Sequence, residues 1–128
     1  MSDASEATTL GPDPSAAGVP PDVDAHTRDI AEVPAVEVIS AAAVHLMSAA
    51  AVKLGLAPDG ERYTDLDEAR RLITALAGLV TASREFLGVH AAPLRDGLQT
   101  LQKAFREASI EPDPPGQGPG EKYTGPVR

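Results

Sequence analysis

Residues 35–56 read AVEVISAAAVHLMSAAAVKLGL, and the way this run folds decides the architecture. Two alanine triplets, at 41–43 and 49–51, sit in it with no charge between Glu37 and Lys53 and no glycine before Gly55. Alanine is the strongest helix former, so the run predicts a helix over 34–54, about 31 Å long at 1.5 Å per residue. At about 100° per residue, Ile39, Ala42, Ala43, Leu46, Ala50 and Leu54 gather on one face. The opposite side holds Glu37, Ser40 and Ser48, but also Ala41, Val44, Ala51 and Val52. The outer face of a surface helix normally carries charge. This one carries almost none.

The residues that follow predict a reversal of the chain. Gly55 suits the left-handed position that closes a helix, with Leu56 folding back on Ala50 or Ala51. Pro58-Asp59-Gly60 is a turn signal, and Thr64 or Asp65 opens a second helix with Asp67 or Glu68 three residues on. Along that helix Leu66, Ala69, Leu72, Ile73, Leu76, Val80 and Leu87 line one side, and Gly88 ends it. A third helix is expected from about Pro93 to before Pro112, with Leu94, Leu98, Leu101, Phe105 and Ala108 as its apolar stripe. Gly97 and Ala104 form a small-residue edge beside that stripe, placed for close approach of helix one. No segment alternates convincingly as a strand. The expected fold is all-α: a helical hairpin plus a third helix, over residues 34–109.

Composition divides the chain in the same way. Of twelve prolines, only Pro34, Pro58 and Pro93 lie between residues 33 and 110, each at an expected helix start or turn. Residues 1–33 hold seven acids and one base, whereas 34–109 are nearly balanced at nine acids and eight bases. The formal charge of −8 thus belongs mainly to the N-terminal segment. Both ends, 1–33 and 110–128, are poor in large apolar side chains and rich in proline, glycine or acids. They are expected to be disordered. The absence of cysteine excludes thiolate chemistry and disulfides and agrees with a reducing cytoplasm. The start of the chain lacks the basic and apolar regions of a signal peptide. The 15 residues between Glu37 and Lys53 fall short of the ~20 a membrane span needs, so a cytoplasmic protein without a transmembrane span is expected.

Catalytic signals are weak. His26, His45 and His90 have no second ligand at the three- or four-residue spacing of a helical metal site. His45, between Ala41 and Ala49, is a candidate for pH-sensitive association, against the plainer role of a hydrogen-bonded interface residue. Asp65, Asp67 and Glu68 have a sufficient cause in helix capping and the helix dipole. Ser83 and Ser109 lack a nearby base, and Gly116, Gly118 and Gly120 lie among prolines rather than between a strand and a helix. The expectation is therefore a non-enzymatic protein without metal or cofactor.

Two kinds of partner remain. A small domain of this size buries only about 60% of its unfolded surface, and an alanine-rich core contributes little apolar area. Self-association as a homo-oligomer would bury Ala41, Val44, Ser48, Ala51 and Val52; the opposing expectation is that helix three covers that side and leaves a monomer. The second reading is basic. Arg95, Gln99, Gln102, Lys103 and Arg106 share one flank of helix three, with Arg70 and Arg71 on the outside of helix two. These are candidates for phosphate contact, although Asp96 and Glu107 lie close by and no aromatic residue is interleaved for base stacking.

The run from Ala49 to Glu107 resembles the domain-of-unknown-function family 1844, a group of small bacterial proteins. The resemblance is carried by Lys53-Leu54-Gly55-Leu56 with Pro58, then Asp65-Leu66, Ala69, Leu72-Ile73 and Leu76, and a leucine-bearing last helix. The family has no assigned activity, so the resemblance implies no catalytic residue. Relatives in high-GC Gram-positive bacteria are often encoded near translation initiation factor three, which implies an RNA- or ribosome-associated accessory role as the alternative function.

Overall fold

A computed structural model describes residues 31–127. The chain divides into two units, Met1–Pro34 and Ala35–Arg128. The expected disorder of 1–33 falls almost wholly outside the described residues. The second unit is all-α, with three principal helices and no strand among the described residues. Helix α1 spans Ala35–Lys53, α2 Leu66–Leu87 and α3 Ala91–Ala108; a single turn, α4, spans Glu121–Thr124.

The α1–α2 connection follows from its glycines. Gly55 has φ +82°; its N–H donates to the Val52 carbonyl at 3.0 Å, and the Leu56 N–H donates to the Ala51 carbonyl at 3.0 Å. That pair of bonds is a Schellman closure, which satisfies carbonyls the helix end would leave bare. The Leu56 side chain is mostly exposed rather than folded onto the alanines. Gly60 comes so near this closure that a Cβ there would lie 2.0 Å from the Gly55 carbonyl oxygen. Asp65 then caps α2: its Oδ1 accepts from the Glu68 N–H at 3.1 Å, while its own N–H donates to the Lys53 carbonyl at 2.8 Å. The end of α1 and the start of α2 are therefore bonded directly, and the two helices run antiparallel.

Helix α2 is central and packs on both neighbours. Ala69, Ile73, Leu76, Ala77, Val80 and Leu87 are buried on it, Leu94, Leu98, Leu101 and Phe105 on α3, and only Ala43 and Ala50 on α1. Val36, Ile39, Leu46 and Met47 of α1 pack against this core from its edge. Met47 lies over Gly97, where a Cβ would meet its methyl at 2.1 Å, so the small-residue edge of α3 does receive helix one. Pro93 sits in the first turn of α3, where a missing N–H costs no helical bond. Ala42, expected on the buried face, is exposed. A helix apolar on every side gives no period from which to choose its inner face.

The C-terminal segment departs from the expected disorder of 110–128. Residues 111–127 return across α2 and α3, and Pro119, Gly120 and Glu121 are buried. Gly120, at φ +76°, lies against Ala77 and the Ile73 carbonyl, and a Cβ there would approach Ala77 to 2.6 Å. The Glu121 carboxylate accepts the Gly116 N–H at 2.7 Å, and Tyr123 lies beside Gly78. Arg70 pairs with Asp113 at 2.9 Å. The strap contributes little apolar area of its own. Its order comes from backbone groups paired with polar partners and from glycines that let the main chain lie close to α2.

Candidate functional site

The outward face of α1 is an uncharged surface that the sequence singles out. Val44 is 53% exposed and Val38 42%. Ala41, Ala42, His45 and Ser48 are exposed as well, and Ala51 and Val52 are half-buried. None of the five expected interface residues, Ala41, Val44, Ser48, Ala51 and Val52, is fully covered by the other described residues. Helix α3 does not shield this side because α1 uses Ala43 and Ala50, nearly opposite, to meet the core. The face is rigid, since a continuous helix presents it, and neutral from Val38 to Val52.

The basic residues form no comparable surface. Arg70 is paired with Asp113 and lies over the Phe105 ring at 4.9 Å. Arg71 pairs with Glu68, and Arg95 lies 3.9 Å from Asp96. Arg106 donates from Nη1 to the Val127 carbonyl at 3.0 Å. Lys103 borders a shallow recess with Gln99, Pro126 and Val127. Four of the five candidate cations thus have an internal partner, and the strap supplies two of those partners. Gln102, read as part of the same polar flank, is 2% exposed. Its Nε2 donates to the Pro119 carbonyl at 3.0 Å and to Thr124 Oγ1 at 3.2 Å. It belongs to the core, holding the strap.

A concavity of about 170 Å³ lies where α2, α3 and α4 meet. Val80, Leu98 and Tyr123 line it together with Arg84 and Arg95, and neither a histidine nor a carboxylate does. It therefore offers cations and hydroxyls but no general base. Among the described residues no three His, Cys, Asp or Glu side chains cluster as metal ligands. Asp65, weighed for chemistry in the sequence, caps α2 through its carboxylate. The strap and the concavity were missed by sequence reasoning; the positive-φ glycines at 116, 120 and 125 were the available signal, spaced for tight turns rather than for a spacer.

No curated protein and no solved structure matches the chain. A family does: the Domain of unknown function (DUF1844) matches residues 35–107, from the first residue of α1 to the last turn of α3, so the strap lies beyond the shared part. On this match over more than half of its length, the chain belongs to the DUF1844 family.

Proposed function

We propose that the domain is a non-enzymatic self-association module whose contact surface is the outward face of α1. The observation that carries this reading is the exposure of Val38, Ala41, Val44 and Ser48 on one rigid helix, with no charge among them. Water gains from covering such a face, and small side chains let a second helix approach closely at modest entropic cost. The cysteine-free composition is in keeping with a reducing bacterial cytoplasm.

The RNA- or ribosome-directed alternative draws on Arg70, Arg71, Arg95, Lys103 and Arg106. The acids paired with Arg70, Arg71 and Arg95 weigh modestly against it, because they lower the local positive charge that would attract a phosphate, although exposed pairs are individually weak. Membrane contact is the other competitor. Ala35–Lys53 and Leu66–Ala108 are both long and apolar enough by length and composition to cross a membrane, but the second stretch is the bundle's own core, and α1 owes much of its apolarity to alanine, which contributes little area. Light scattering on size-exclusion eluates at high micromolar concentration tests the proposal. A mass of twice the chain supports it, and a monomer at every concentration ends it.

A further inference from the structure

The concavity between α2, α3 and the strap joins an apolar floor to a positive rim. Val80 and Leu98 of the floor are 6% and 1% exposed. The rim carries Arg84 from the last turn of α2 and Arg95 from α3. No acid balances these charges at the site. No carboxylate lines the concavity, and Arg84 has no ion-pair partner among the described residues. Arg95 has only Asp96, at 3.9 Å with both side chains more than half exposed, a pairing of little strength. Such a site favours an anion with an apolar body.

The volume of about 170 Å³ sets the size of that body. A dry cavity of about 150 Å³ accommodates benzene, whereas sites for drug-sized ligands and cofactors start at about 300 Å³. A nucleotide is therefore too large, and one ring or one branched alkyl group fits. The head group follows from arginine, whose planar fork pairs with a carboxylate through two parallel hydrogen bonds. Inorganic phosphate meets the same fork but leaves the apolar floor to water.

The strap supplies the remaining wall through Tyr123 and Thr124. Gln102 holds Thr124 Oγ1 at 3.2 Å, and the Tyr123 ring lies in van der Waals reach of Gly78. The site is thus complete only when the strap is docked. We propose that the concavity binds a small monocarboxylate, its body on Val80, Leu98 and Tyr123 and its carboxylate between Arg84 and Arg95. A ligand that touches only the docked form stabilises the strap by mass action. The inference is independent of self-association, since α1 contributes no wall.

Amide chemical shifts of the isotope-labelled full chain, titrated with phenylacetate and with isovalerate, test the proposal. Phenylacetamide serves as the neutral analogue and inorganic phosphate as the anion without a body. A ligand of this size is expected to bind with a Kd of about 1–10 mM. Saturable shifts are expected at Arg84, Arg95, Leu98 and Tyr123 with at least one carboxylate, and amide exchange at Gly116 slows when it is bound. Both controls, and the carboxylate on Arg84→Gln or Arg95→Gln chains that remain folded, are expected to bind about tenfold more weakly. Absence of saturable shifts with both carboxylates up to about 10 mM overturns the site. Equal binding of phenylacetamide, equal binding of phosphate, or undiminished binding by both arginine variants overturns it as well.

Discussion

Gln102 of α3 donates from Nε2 to the carbonyl oxygen of Pro119 at 3.0 Å, across 17 residues of chain. This bond and its companion to Thr124 hold the strap on the bundle. Replacing Gln102 with Leu removes both and leaves the buried Pro119 carbonyl without a donor. Such losses cost about 1–3 kcal/mol. Urea unfolding of Gln102→Leu is expected to fall by that amount, and amide exchange to accelerate first at Gly116, whose N–H is bonded to Glu121. Unchanged exchange in the strap would show that other contacts hold it.

Two glycines in close contacts are expected to behave differently. At Gly60 a Cβ would strike the backbone oxygen of Gly55, which is fixed by the Schellman closure. Gly60→Ala is therefore expected to destabilise by about 1–3 kcal/mol, the usual cost of overpacking. At Gly97 the obstacle is the terminal methyl of Met47, which can rotate aside. Gly97→Ala is expected to be near neutral, since the gain of about 1 kcal/mol in helix propensity offsets moving that methyl. Thermal unfolding of the two variants side by side checks the contrast.

The Arg70–Asp113 pair ties α2 to the strap, but both side chains are partly exposed. Exposed pairs contribute about 0–1 kcal/mol. A double-mutant cycle on Arg70→Met and Asp113→Asn is expected to give a coupling within that range, shrinking with added salt. A larger, salt-independent coupling would mean that the stacking of Arg70 on Phe105 depends on the pair.

The parts of this fold that were legible in the sequence are those with a local cause. Gly55 and Asp65 mark a helix end and a helix start by their own conformational chemistry, and the spacing of Leu94, Leu98, Leu101 and Phe105 admits one reading. The lack of charge around Val44 and Ser48 was likewise visible in the sequence, and both residues are exposed among the described residues. The outward position of Ala42 was not legible, because an apolar neighbour on every side removes the contrast that periodicity needs. Phe86 is 60% exposed although large aromatic side chains belong preferentially in cores. The strap was hidden because proline and glycine lower the average hydropathy of a segment regardless of whether its backbone finds partners. Gln102, Glu121 and Pro119 find one another only in three dimensions.

The central claim is that the outward face of α1 is a contact surface between copies. Its most direct test is the molar mass in solution of the wild-type chain and of Val44→Asp, measured by light scattering at matched high micromolar concentration and at low and high salt. Val44 is exposed, so the substitution leaves the bundle folded and helical, and its melting temperature falls only by what association contributes. The account predicts a wild-type dimer insensitive to salt and a folded, monomeric Val44→Asp. Equal masses for the two folded proteins would contradict it.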